Sequence, residues 1–137
     1  MMRFNFPLLL ILFSLSFPSV GETIGDLVKR EGIYYKKFSD VPFTGKVEGL
    51  VQGSFKDGLT EGLWVEYHDN GQVWFKGKYK DGKREDLWFG YYGNGQLWFK
   101  RNYKDGKREG ISLTYYGDGS VQLEQTGTFR NGVKISD

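Results

Sequence analysis

The protein has 137 residues and a formal net charge of +2, from 19 Lys and Arg against 17 Asp and Glu, and it contains no Cys. This near-neutral balance argues against a general electrostatic attraction to nucleic acid or to anionic membranes. The absence of Cys excludes disulfides and a lipoprotein anchor. Aromatic residues make up 18% of the chain, with 20 Gly and only 3 Pro, a composition typical of strands and tight turns.

The first 21 residues have the pattern of a secretory signal peptide. Arg3 supplies the positive start, an uncharged apolar stretch runs from Leu8 to Phe17, and Pro18 ends it shortly before Glu22. The apolar stretch is about half the roughly 20 residues that a membrane span needs. We therefore predict a signal peptide at 1–21 and a secreted or periplasmic mature chain of 22–137. An uncleaved N-terminal anchor is the alternative.

The remainder of the chain is a repeat array. Residues 64–87 align with residues 88–111 over their full length, which gives a period of 88 − 64 = 24 residues. A further copy follows with two residues inserted after Leu123. An earlier and longer copy begins at about Gly32, within the Lys-Arg-Glu-Gly-Ile sequence at 29–33, which recurs at 107–111. We predict one domain with four repeats, at about 32–58, 62–82, 86–106 and 110–132.

Each copy predicts a β-hairpin, because apolar residues alternate with polar ones along it. The sequence Asp69-Asn70-Gly71 suits a three-residue turn whose Gly adopts the left-handed conformation. That turn predicts pairing of Tyr67 with Val73 and of Val65 with Phe75. A five-residue return turn at 81–85 then predicts pairing of Tyr79 with Leu87 and of Phe75 with Tyr91.

These hairpins predict an all-β fold, an elongated antiparallel β-meander in a single twisted sheet. A single hairpin is marginally stable in water, so the copies must stack to share a core. The expected core face carries the alternating apolar residues of each copy: Leu63, Val65, Tyr67, Val73, Phe75, Tyr79, Leu87, Phe89, Tyr91, Leu97, Phe99, Tyr103, Ile111, Leu113, Tyr115 and Val121.

The repeat resembles the bacterial variant of the MORN repeat. The resemblance lies in G-L-W-x-x-Y-x-x-N-G-Q at 62–72 and in Y-K-D-G-K-x-E-G at 103–110. The segment 41–47 is similar to the opening of YwqK-type toxin–antitoxin system antitoxin family proteins. The resemblance implies a β-hairpin scaffold without enzymatic activity, and links to membrane or protein contacts in eukaryotic relatives. The chain departs from the pattern by its export signal, by Asp86 at a Gly position, and by Ser112 and Gln122 at Trp positions.

The face opposite the predicted core is the candidate binding face. Four exposed Trp would form an apolar patch of order 600–1,000 Å², whereas monomers rarely expose more than a few hundred. Cross-strand packing of Trp with Lys is one explanation for such a patch, and a binding surface is the other. The candidate residues are Trp64, Trp74, Trp88, Trp98, Tyr92, Tyr116, Lys76 and Lys100.

Other polar residues do not predict chemistry. His68 is the only histidine, and a lone His without Cys or a carboxylate partner does not predict a zinc or acid–base site. Asp57, Asp81 and Asp105 are single carboxylates in Lys-Asp-Gly sequences, which favours turn formation over calcium binding. The Gly-rich segment 90–95 lacks the Lys-Ser/Thr pair of a phosphate loop. We therefore predict no enzymatic activity, no cofactor and no metal.

Three functional hypotheses follow. The first is an exported scaffold that binds a partner protein through the sheet face or an edge. The second is a glycan- or peptidoglycan-binding module that uses the Trp row. The third is a membrane-surface or antitoxin-like module, as the family name suggests, although the near-neutral charge disfavours membrane binding. None of the three involves nucleic acid.

Overall fold

A computed structural model describes residues 21–137, so the predicted signal peptide, apart from Gly21, lies outside the described residues. Within the described part no helix has the length and apolar character needed to cross a membrane. A short 3-10 turn occupies Ile24–Asp26. The strands of this part are β1 Glu22–Thr23, β2 Leu27–Arg30, β3 Ile33–Lys36, β4 Gly45–Glu48, β5 Val51–Lys56, β6 Leu59–Tyr67, β7 Val73–Lys80, β8 Lys83–Tyr91, β9 Leu97–Lys104, β10 Lys107–Thr114, β11 Gly127–Arg130 and β12 Val133–Ser136.

Ten of these strands form one sheet in the order β1-β4-β5-β6-β7-β8-β9-β10-β11-β12. From β4 onward each strand pairs antiparallel with the next. The predicted all-β meander is therefore confirmed. Two features were not predicted: β1 pairs parallel with β4, and β2 and β3 form a separate two-stranded sheet.

Two kinds of turn connect the strands. The predicted three-residue turn at 69–71 is confirmed: the His68 N–H donates to the Gln72 carbonyl at 2.8 Å, and Tyr67 pairs with Val73. The return turn is shorter than predicted, because Lys80 pairs with Lys83 across two residues only. Both residues of this return turn have positive φ, as type I′ turns require. The same turn recurs as Asp57-Gly58, Asp81-Gly82, Asp105-Gly106 and Asn131-Gly132.

A glutamate of each hairpin binds the return turn of the following hairpin. Glu61 accepts a hydrogen bond from the Asp81 N–H at 2.8 Å, and Glu85 accepts one from the Asp105 N–H at 3.1 Å. The third member of the series is Glu109, which accepts from the Asn131 N–H at 2.9 Å. These contacts recur at the repeat period and join each copy to its neighbour.

β-Bulges make the predicted core face wrong for β6 and β8, whereas Phe75 and Tyr79 of β7 and Phe99 and Tyr103 of β9 contribute to the core as predicted. Tyr67 pairs with Val73 but Glu66 pairs with Phe75, so Trp74 is an extra residue in β7. Beyond this bulge Val65 pairs with Lys76, not with Phe75. A shift of one residue moves every following side chain to the other face of the sheet. In Leu63-Trp64-Val65 and Leu87-Trp88-Phe89 the Trp therefore faces the core, and its two neighbours face outward.

The predicted pairing across the return turn fails because this turn has two residues and not five. Tyr79 pairs with Arg84 and not with Leu87, and Phe75 pairs with Gly90 and not with Tyr91. A register shift between Lys76 and Lys78 separates these two parts of the β7–β8 ladder.

A continuous row of aromatic rings forms the core on what we call the inner face of the sheet. Ring centroids lie 5.5 Å apart for Phe43 and Phe55, 5.5 Å for Phe55 and Trp64, 5.4 Å for Trp64 and Tyr79, and 4.8 Å for Tyr79 and Trp88. From Phe55 onward, successive rings come from successive strands. Their burial is the main apolar contribution to stability in a chain without disulfides.

Each buried Trp lies on a glycine of the preceding strand. A Cβ at Gly77 would lie 2.3 Å from Cδ2 of Trp88, and one at Gly53 would lie 2.1 Å from Cε3 of Trp64. One period later both residues differ together: Ser112 replaces the Trp and Arg101 replaces the Gly. In this copy the large side chain is therefore Arg101 on β9, whereas in the earlier copies it is the Trp of the following strand.

Candidate binding faces

Two residues of the predicted binding face are core residues. Trp64 is 5% exposed and Trp88 is fully buried. The Trp64 indole N–H donates to Glu66 at 2.9 Å, and that of Trp88 donates to the Lys78 carbonyl at 3.0 Å. The prediction that these two Trp lie on an exposed face is therefore wrong, because the bulge before Tyr67 was not foreseen.

The other two Trp also lie on the inner side, nearer the three-residue turns. Trp74 is partly exposed and contacts Phe75 and His68, with centroids 4.5 and 5.6 Å away. Trp98 is half-buried, 5.8 Å from both Phe75 and Tyr92. An exposed row of four Trp does not form.

His68 and Tyr92 connect neighbouring copies. His68 Nε2 lies 2.9 Å from the Tyr91 carbonyl oxygen, and the Tyr92 hydroxyl donates to the Tyr115 carbonyl at 2.7 Å. Both side chains thus bind a carbonyl 23 residues further along the chain. Tyr116 occupies the equivalent position of the next copy and is exposed. A structural role is sufficient to explain His68 and Tyr92.

Lys76 and Lys100 lie on the opposite, outer face, in a cross-strand row that we call the lysine row. Its members pair directly from β6 to β10 in the order Val65, Lys76, Phe89, Lys100, Leu113. The Lys76 ammonium is 5.3 Å from the Phe89 ring centre and that of Lys100 is 6.0 Å from it. The row alternates charged and apolar side chains across five strands.

A second row on the outer face is aliphatic and exposed. It consists of Leu63, Leu87 and Ile111, which are 80%, 44% and 67% exposed, and we call it the outer apolar row. A groove of about 330 Å³ lies between Leu63 and Leu87. Its other lining residues include Val65, Lys76, Lys78, Asp86 and Phe89. The sequence pattern predicts Leu63, Val65, Leu87 and Phe89 in the core, and for these four residues the prediction is wrong.

A second cavity, of about 360 Å³, opens on the inner face beside the first hairpins. Tyr34, Trp64, Glu66 and Tyr79 are among its lining residues. Burial raises the pKa of Tyr79 above its usual value, against the opposing effect of its hydrogen bond to Arg84. Within residues 21–137, no group of three or more His, Asp or Glu side chains is placed to hold a metal ion.

One sequence signal could have located the buried Trp. Gly53 and Gly77 interrupt strands, and an isolated Gly in a strand is typical of a bulge or of close approach by another group. Here the approaching group is an indole ring. The positions of these glycines, together with the 24-residue spacing of the Trp residues, would have predicted that Trp64 and Trp88 lie in the core.

Comparison with known families agrees with the architecture. The family model of the MORN repeat variant matches residues 60–81 and 87–105. These ranges fall on the strands β6 to β9, where the Trp-on-Gly packing and the lysine row also lie. No curated protein matches the chain. Two segments in the middle of the hairpin array are thus similar to the MORN repeat variant.

Proposed function

We propose that the protein is a non-enzymatic scaffold that binds a partner protein through the outer face of its sheet. MORN repeats are in general protein- or membrane-binding modules. The observation that carries the proposal is the outer apolar row, which exposes three large aliphatic side chains, two of which, Leu63 and Leu87, line a groove. Exposed apolar side chains grouped around a groove are typical of interaction sites.

The charges on this face define the chemistry of the partner. Lys76, Lys78 and Lys100 flank the apolar side chains, and Asp86 is the single carboxylate that lines the groove. A complementary segment presents aliphatic side chains to the groove and carboxylates to the lysines. Burial of each Leu or Ile contributes about 1.5–3 kcal/mol, while the charge pairs at the rim mainly set orientation and association rate.

The same observations rank the alternatives. A glycan site that uses a Trp row loses its main support, because two of the four Trp are buried. A membrane-surface role needs a stronger positive charge than the net +2 of the whole chain provides. A protein partner needs only the local complementarity that the outer face offers. If the signal peptide operates as predicted, that partner is an envelope or extracellular protein.

The test uses a double variant of the outer apolar row, Leu63→Asp with Ile111→Asp. Affinity capture from the native envelope should retain a protein on the wild-type chain and lose it on the double variant. Val41→Asp with Leu123→Asp is the matched control, because both residues are exposed and neither belongs to the outer apolar row. The captured protein, once purified, should bind the double variant at least tenfold more weakly, which is about 1.4 kcal/mol.

Two results would overturn the proposal. One is equal binding of the captured protein to the wild type and to the outer-face variant. The other is sedimentation of the wild type with anionic vesicles that the outer-face substitutions abolish, with no protein captured. The second result would assign the face to a membrane.

A further inference from the structure

Three arginines occupy the inner face of adjacent strands in the later hairpins. Arg84 lies on β8, Arg101 on β9 and Arg108 on β10. Each guanidinium lies over a core ring. Arg84 lies 4.5 Å from the ring centre of Trp88, Arg101 lies 4.2 Å from that of Phe99, and Arg108 lies 4.9 Å from that of Phe129. Stacking of this kind occupies the flat face of a guanidinium and leaves its N–H edge available to an acceptor.

The charges of these arginines are not neutralised by the protein. Within residues 21–137, none of the three has a carboxylate within 4.0 Å; the ion pairs of this part of the chain lie elsewhere. Their side-chain hydrogen bonds go to neutral acceptors, namely Tyr103 Oη at 3.4 Å from Arg84, Thr114 Oγ1 at 3.2 Å from Arg101 and Gln125 Oε1 at 2.9 Å from Arg108. Tyr79 is a further partner of Arg84, and Tyr103 is a further partner of Arg101. A guanidinium has five N–H donors, so most of the donors in the cluster are not engaged by these bonds.

Two buried polar atoms lie at the centre of the cluster. Arg101 Nε and Ser112 Oγ have no hydrogen-bond partner among the described residues, and Ser112 is only 1% exposed. These two residues pair directly across β9 and β10. An unpartnered buried N–H or O–H group is unfavourable, and a bound ion is one of the known explanations for it.

The arginines are close enough to repel one another. Neighbouring strands lie about 4.8 Å apart, and Arg101 is on the strand between the other two. Burial and the positive charges of Arg108 and Arg84 together lower the pKa of Arg101. Burial alone would raise the pKa of Tyr103, but the hydrogen bonds and charges of Arg84 and Arg101 hold it below its usual value. The cluster therefore has an excess of positive charge that an anion would relieve.

We propose that Arg84, Arg101 and Arg108 form an oxyanion site that binds a phosphoryl group. Arginine forks match the oxygens of a phosphate in pairs, and three guanidinium charges suit a multiply charged anion better than a single carboxylate. Thr60 occupies the position equivalent to Arg84 one copy earlier, so the site is confined to the later hairpins. It lies on the face opposite the proposed partner surface and is independent of it.

The experiment titrates the mature chain with pyrophosphate by calorimetry, at constant ionic strength set with chloride. Trp emission is followed in parallel, because Arg84 stacks on Trp88. Arg84→Gln and Arg108→Gln should each weaken pyrophosphate binding at least tenfold. Lys107→Gln removes the same charge from an exposed position beside the return turn and should leave the affinity within twofold. Circular dichroism verifies that each variant is folded.

A conservative variant and a vesicle assay complete the test. Arg108→Lys keeps the charge but loses the fork, so its affinity should fall between those of the wild type and Arg108→Gln. Vesicles of phosphatidylcholine with phosphatidate separate the two sources of a phosphoryl group. Binding of the protein to these vesicles that depends on Arg84 and Arg108 assigns the phosphoryl group to a lipid. Binding of pyrophosphate without binding to the vesicles assigns it to a soluble ligand. The proposal is overturned if neither probe binds, or if Lys107→Gln weakens binding as much as the arginine variants.

Discussion

Replacement of Gly77 by Ala tests the central packing feature of the repeat. The added Cβ would lie 2.3 Å from Trp88 Cδ2, whereas carbon atoms pack best at about 3.5–4.0 Å. The ring must therefore retreat by about 1.2 Å, although it is fully buried and its N–H donates to the Lys78 carbonyl at 3.0 Å. Overpacking costs about 1–3 kcal/mol and the strained hydrogen bond about 1 kcal/mol. We expect the free energy of unfolding to fall by about 2–4 kcal/mol in total.

The assay is urea unfolding followed by far-ultraviolet circular dichroism. Gly93→Ala is the control, because the nearest atom to its added Cβ is Asn70 Nδ2 at 4.0 Å; it should change stability by less than about 0.5 kcal/mol. Trp88→Ser should itself cost about 3–5 kcal/mol, yet in that background Gly77→Ala should be nearly neutral. Equal costs of Gly77→Ala in both backgrounds would refute the packing argument, since contacting residues must be non-additive.

Three further predictions concern Asp86, the return turn at 81–82 and two tyrosines. Asp86 has a φ of 57°, so Asp86→Gly should raise the free energy of unfolding by about 0.5–1 kcal/mol in thermal melts; a loss of stability would contradict the strain. Glu61→Ala removes the acceptor of the Asp81 N–H and should cost about 1 kcal/mol in urea unfolding, while Glu61→Gln should cost less; equal losses would count against the hydrogen bond. In an alkaline absorbance titration, Tyr103→Phe should remove a phenol that ionises at lower pH than the phenol that Tyr79→Phe removes. The raised pKa of Tyr79 adds stability that is present below pH 10 and is lost as the pH rises through the pKa of the folded state. The lowered pKa of Tyr103 adds stability that is present above the pKa of the unfolded state. The reverse order of ionisation would contradict both pKa shifts.

The hairpins and their order were predictable because they depend on local signals. Asn70-Gly71 sets the three-residue turn and Asp81-Gly82 marks the return turn, and both lie where the sequence predicts a change of direction. The face of each strand was not predictable from alternation alone. Trp74 enters β7 as an unpaired residue, and one extra residue reverses the face of every side chain beyond it.

The candidate site was affected by the same error. Lys76 and Lys100 were placed on a face with Trp64 and Trp88, but they share their face with Leu63 and the other aliphatic residues that were assigned to the core. The arginine cluster was not foreseen, because Arg84 and Arg108 stand in Lys-Arg-Glu sequences that are typical of solvated turns. Only the stacking of each guanidinium on a core ring reveals that these charges lie over the core.

The contact between a glutamate and the next return turn has a consequence for how such arrays change in length. Glu85 binds the turn at 105–106, while Glu61 binds the turn at 81–82, which opens the strand of Glu85. Each 24-residue unit therefore supplies one Glu carboxylate to the return turn of the next unit, and its own return turn binds the Glu of the preceding unit. Duplication or deletion of a whole unit preserves every such contact, and the last copy keeps its contact between Glu109 and Asn131 despite two inserted residues. The number of copies can then change by one whole unit at a time. Each such change alters the free energy of unfolding by the contribution of one unit and of one interface between units.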